Sequence, residues 1–172
     1  MPAYVALLRG VNVGGRKVPM QDLRALFADL GHTAVRTYIQ SGNVVFATKV
    51  RSPAAVRSAL VAALERDFGF PVAVLLRSAA ELTVVLERNP YGAGAYVTFL
   101  DEAPDRKLVA ALDPRAFAPD EFEIAGREVY VRCPNGYGRT KINNTYFERK
   151  LATRATTRNL NTVTILRDWA TA

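Results

Sequence analysis

Over its first 77 residues the chain carries short periodic segments in an order that few folds accommodate. Residues 4–9 form an apolar run of strand length that stops at Gly10. Met20, Leu23, Phe27 and Leu30 then recur at helical spacing, preceded by Pro19 and closed by Gly31, which predicts an amphipathic helix. Val35, Thr37 and Ile39 alternate with Arg36, Tyr38 and Gln40, and Ser41-Gly42-Asn43 turns the chain into a second strand at 44–47. Ser52 and Pro53 open another helix, striped by Val56, Leu60, Leu64 and Phe68, and residues 72–76 read as a further strand. The resulting order, β-α-β-β-α-β, is the split βαβ of ferredoxin-like domains, so the sequence predicts an α+β fold.

The second half repeats part of this pattern. A helix over 79–86, a break at Asn89-Pro90-Tyr91-Gly92, a strand over 96–100, a helix over 105–112 and a hairpin over 122–131 precede a helix from about Thr140 to Leu151 and a last one from about Asn161 to Ala170. The order β-α-β-β-α from residue 96 suggests a modified copy of the first half with extra C-terminal helices, although no residue-level repeat is visible. The expected organisation is therefore a ferredoxin-like subdomain over 1–77 packed against a second α+β subdomain over 78–172.

Composition narrows the chemistry. One His and one Cys among 172 residues leave little room for His/Cys metal centres or for Cys–His and Ser–His–Asp catalysis, and Cys133 cannot close a disulfide within the chain. No stretch approaches the roughly 18 apolar residues of a membrane span. The opening Met1-Pro2-Ala3-Tyr4 runs into a strand instead of a charged leader, so a soluble, cytoplasmic protein without a membrane partner is expected. The net charge of +7 divides into +6 over 1–77, −5 over 78–128 and +6 over 129–172. An acidic middle thus separates two basic ends, which points to an anionic partner.

Four segments carry candidate binding residues. Arg9-Gly10-Val11-Asn12-Val13-Gly14-Gly15-Arg16-Lys17 joins the first strand to the first helix; glycine amides, a helix start and two cations suit a phosphate or carboxylate, and the alternative is a connector whose cations face water. It lacks the spacing of a Walker A loop and of G-x-G-x-x-G, and no cofactor is expected. Gly136-Tyr137-Gly138-Arg139-Thr140-Lys141 is a second such loop, with Thr140 as cap and Lys141 in the first helical turn, where a cation is unfavourable without an anion nearby. Thr156-Thr157-Arg158-Asn159-Leu160-Asn161-Thr162 opens the last helix, as a cap or as an anion-recognition corner. In the hairpin 37–43, Tyr38, Gln40 and Asn43 could add directional contacts, or simply form a strand and turn.

The run 4–15, then Val18-Pro19-Met20 with Leu23, then 36–44, then Thr157-Arg158-Asn159 with Asn161-Thr162-Val163, resembles the bacterial family catalogued as domain of unknown function 1697. The resemblance implies a compact α+β protein with ferredoxin-like elements and carries over no activity and no catalytic residues. The residues themselves favour binding of a phosphate-bearing or other anionic small ligand in a cleft between the halves, through Arg9, Asn12, Gly14, Gly15, Lys17, Tyr38, Gln40, Asn43, Gly138, Lys141, Arg158, Asn159 and Asn161. A nucleic-acid-binding module is the alternative, resting on the basic ends with Arg36 and Tyr38; a protein interaction scaffold is the third.

Overall fold

The computed structural model describes residues 1–39 and 42–172. By backbone proximity the chain forms two compact units, Met1–Thr83 with Ile165–Ala172, and Val84–Thr164. We call them unit 1 and unit 2.

Unit 1 contains β1 (Ala3–Arg9), α1 (Met20–Asp29), β2 (Thr33–Tyr38), β3 (Asn43–Ala47), α2 (Pro53–Phe68) and β4 (Ala73–Ser78), followed by α3 (Ala79–Glu87), which runs on into unit 2. Its sheet has the order β2-β3-β1-β4 with antiparallel neighbours, the ferredoxin-like arrangement expected from the element order. Ala6, Leu8, Val44, Phe46, Val74 and Leu76 face the buried stripes of α1 (Leu23, Phe27) and α2 (Val56, Leu60, Leu64). Each large apolar side chain buried there contributes roughly 1.5–3 kcal/mol. The Ser52 hydroxyl accepts from the Ala55 amide at 3.2 Å to start α2, and Gly69 in left-handed conformation ends it. β4 passes into α3 through a reciprocal cap, in which Ser78 Oγ accepts from the Glu81 amide and Glu81 Oε1 from the Ser78 amide.

The other face of this sheet is buried as well: Val5, Leu7, Asn43, Val45, Leu75 and Arg77 are all at most 4% exposed. A platform for stacked bases needs an open face, and this one is covered along β3, β1 and β4, with Arg36 of the outer strand β2 left exposed.

Unit 2 holds the end of α3, then β5 (Tyr96–Leu100), α4 (Arg106–Ala110), β6 (Glu121–Ala125), β7 (Glu128–Arg132), α5 (Asn144–Leu151), β8 (Ala155–Asn159) and the start of α6 (Leu160–Thr171). Its sheet order, β6-β7-β5-β8, reproduces that of unit 1 element for element. The core gathers Leu100, Phe122, Val129, Val131, Ile142, Phe147 and Leu151. Two local expectations change. Residues 155–159 are a strand, not the opening of the last helix; the segment ATTRN lacks apolar alternation because its buried positions are filled by Ala155, Thr156 and Arg158. The helix expected from Thr140 starts at Asn144, capped by Asn143 Oδ1 on the Tyr146 amide; Thr140 donates its hydroxyl to Asp120 at 2.8 Å and accepts from the Ile142 amide at 3.2 Å, closing a local turn ahead of the helix.

Register reveals a repeat that the linear sequence hides. Tyr4 and Val5 of β1 pair with Ser78 and Arg77 of β4, and Tyr96 and Val97 of β5 pair with Asn159 and Arg158 of β8. The same Tyr-Val pair thus faces a buried arginine followed by a helix-capping residue in both units.

Candidate functional site

The basic end of unit 1 is built by the loop that leaves β1. Asn12 adopts φ 57°, and its Oδ1 accepts from the Val18 amide at 2.9 Å, closing the loop on itself. The Asn12 amide donates to Arg16 O at 2.7 Å and the Arg16 amide to Val13 O at 3.1 Å. Gly14 and Gly15, at φ 56° and 85°, fill the two central positions of this miniature hairpin. Both positive angles fit a type I′ turn, which only glycine and a few polar residues enter cheaply. The expected cradle of converging amides is therefore a turn tip, with Gly14, Gly15, Arg16 and Lys17 all exposed. The Arg16 guanidinium lies over the Phe70 ring, 5.6 Å from its centroid. Lys17 has no hydrogen-bond or ion-pair partner among the described residues. Arg9 is half-buried at the end of β1.

Gly42, directly ahead of β3, packs against this loop. Its carbonyl accepts from the Leu8 amide at 2.9 Å, its φ is 79°, and a Cβ there would stand 2.7 Å from Val11 Cγ2 and 2.8 Å from Leu8 Cβ. The first and fourth sequence segments therefore share one end of the sheet. Two members of the fourth are engaged internally: Asn43, fully buried, donates from Nδ2 to Tyr38 O at 3.0 Å, and Tyr38 stands edge-on to Trp169, whose ring lies 3.6 Å beneath the Arg36 guanidinium. Gln40 lies outside the described residues. Val13 and Ile39, at 58% and 53% exposure, stand out as uncovered apolar residues of these two loops.

The remaining candidates belong to unit 2. Gly138 sits in a 3-10 turn, Tyr137–Arg139, and Lys141 follows it, exposed and without a partner among the described residues. Because α5 begins later, Lys141 is not in a helical first turn, and the dipole argument for an anion beside it does not apply. Arg158 is buried and donates to Thr156 Oγ1 at 2.6 Å and to Thr157 O at 2.9 Å. Asn159 Oδ1 caps α6 through the Thr162 amide at 2.8 Å, the simpler of its two expected roles, while Asn161 is exposed.

Thr157, expected only as one of several short polar side chains beside Arg158, has a hydroxyl at the centre of a network. It donates to Asn144 Oδ1 at 2.6 Å, accepts from the Tyr137 hydroxyl at 3.0 Å and meets Thr98 Oγ1 at 2.7 Å, while Tyr137 stacks on Tyr96. This network ties the glycine-bearing loop of 136–141 to β8. Its only legible signal was the threonine density of 156–162. Cys133 is buried, and burial raises its thiol above the ordinary range, which opposes nucleophilic use. Tyr130, on β7, donates to Val85 O at 2.6 Å, and burial pushes its phenol up to about 12. Among the described residues no group of His, Cys, Asp and Glu is placed to hold a metal ion, and no helix is long and apolar enough to cross a membrane.

Comparison with known proteins agrees with this fold. The conserved bacterial protein SP0830 from Streptococcus pneumoniae is similar over 100% of this chain and 99% of its own, with a TM-score of 0.78 at 24% identity, a likeness of fold. No curated protein matches. The sequence profile of the family described as a protein of unknown function, DUF1697, matches residues 1–130, and the chain belongs to that family.

Proposed function

We propose that this protein binds a phosphate-bearing or otherwise anionic small ligand at the basic end of unit 1. The observation that carries the reading is that Arg9, the Gly14 and Gly15 turn, Arg16 and Lys17 share the one loop leaving β1, against which Gly42 seats on Leu8 and Val11. The exposed glycine amides supply directional donors, Arg16 offers a planar fork steadied by Phe70, and Lys17 adds an uncommitted charge. In unit 2 the candidates Gly138, Lys141, Asn159 and Asn161 are exposed, whereas Arg158 is buried and engaged by its own strand.

A thermal-shift panel of inorganic pyrophosphate, nucleotides, sugar phosphates and a short oligonucleotide tests the reading. A ligand that binds only the folded state at a hundred times its Kd adds about 2.7 kcal/mol of stability. Selective stabilisation by one class of phosphorylated small molecule is the expected result. Stabilisation by the oligonucleotide alone, falling steeply with salt, would instead identify a nucleic-acid module.

A further inference from the structure

Unit 2 contains a cavity of about 380 Å³ that no candidate residue from the sequence touches. This is within the size range of ligand pockets. It runs along β6, the outer strand of the β6-β7-β5-β8 sheet, opposite α4 and the loop at Pro114. One wall is apolar, with Ile124 packing beside Val109 and Leu112 of the α4 segment. The other follows from strand alternation, because Glu121 and Glu123 point to the opposite face from Phe122 and Ile124.

The backbone of β6 is half used on this side. Ala125 and Glu128 close a two-residue hairpin, so Ala125, Glu123 and Glu121 make the ladder bonds to β7, and Phe122 and Ile124 turn their N–H and C=O groups outward. The Phe122 amide confirms this phase, donating outward to Pro114 O at 3.2 Å. The N–H and C=O of Ile124 have no partner among the described residues. An edge of this kind is a template for another strand unless it is blocked, and Pro114 blocks it only at Phe122.

Charge says what such a strand carries. Glu121 is neutralised by Arg115 at 3.4 Å and Arg132 at 3.7 Å, whereas Glu123 is exposed and has no ion pair among the described residues. Burial first, and then the carboxylates of Glu121 and Glu123 against the opposing charges of Arg115 and Arg132, hold the nearby Tyr91 phenol above its ordinary range, so it stays neutral.

We propose that the free edge of β6 at Ile124 is a docking edge for a short extended segment of a partner protein in which apolar and basic side chains alternate. Main-chain bonds to Ile124 hold the segment. Its apolar residues enter the cavity beside Val109 and Leu112, and its basic residues meet Glu123 on the other face.

The test titrates the full-length protein with blocked peptides of alternating leucine and lysine, and with a leucine–glutamate control, following backbone amides by NMR. The expected result is saturable binding of the leucine–lysine peptide, slowed exchange of the Ile124 amide, and no binding of the control. Ile124→Pro removes an outward N–H without touching the β6–β7 ladder, and Glu123→Lys reverses the exposed charge; each lowers affinity by about tenfold or more. Should Ile124→Pro fail to fold, Glu123→Lys decides alone. Absence of saturable binding, equal binding of the control, or full affinity in both folded variants overturns the proposal.

Discussion

Gly42 and Val11 are in contact so close that a Cβ on the glycine would stand 2.7 Å from Val11 Cγ2. This contact joins the start of β3 to the loop after β1. Gly42→Ala would meet both Leu8 and Val11 and would also hold a positive φ that alanine disfavours. We expect a loss of roughly 2–4 kcal/mol, overpacking and left-handed strain combined, read as a lower urea midpoint with unchanged slope. Gly14→Ala has nothing within 4 Å of its Cβ and bears only the conformational cost of its positive φ, so its loss is smaller.

The element order of unit 1 was legible because each of its segments is strictly periodic and punctuated by Gly31, by Ser52 with Pro53, and by Gly69. The strand β8 was not, since Thr156 and Arg158 take the positions where an apolar residue would have announced it. Asn12 read as a ligand donor and works as a loop staple, a role set by Val18 folding back onto it, which spacing alone does not reveal. The Ser78 and Glu81 cap was readable from its S-x-x-E spacing and was passed over. The repeat of Tyr-Val against a buried arginine emerges only once strands are paired, because the two members of each match lie at different offsets along the chain.

Thr157 anchors the loop of 136–141 by three hydroxyl contacts. Thr157→Val keeps the shape and removes them, so that the Tyr137 hydroxyl and Asn144 each lose their bond to it. A loss of about 1–3 kcal/mol is expected by chemical denaturation. Thr157→Ser should recover most of it.

The revised start of α5 separates two neighbours. Asn143→Ala removes the cap and should cost about 1 kcal/mol, whereas Lys141→Ala, exposed and outside the helix, should change stability by no more than about 0.5 kcal/mol. Equal losses would return the helix start to Thr140.

His32 is buried between Phe27 and Phe46, at centroid distances of 6.0 and 4.8 Å, and neither ring nitrogen has a partner among the described residues. Burial lowers its pKa from 6.5. The unfolded chain therefore takes up the proton first on acidification. The stability held with a neutral ring is fully present above pH 6.5 and is lost as pH falls through the lower folded value. Urea midpoints between pH 7 and 5 should fall more for the native chain than for His32→Leu; parallel curves would remove His32 as the cause.

The central claim is that an anion is held at the basic end of unit 1. Titrating the protein with inorganic pyrophosphate while following backbone amides by NMR addresses it most directly. Saturable shifts centred on Gly14, Gly15 and Lys17, and weakened in Lys17→Ala, are the predicted result; no saturable response, or one centred elsewhere and indifferent to Lys17→Ala, would contradict it.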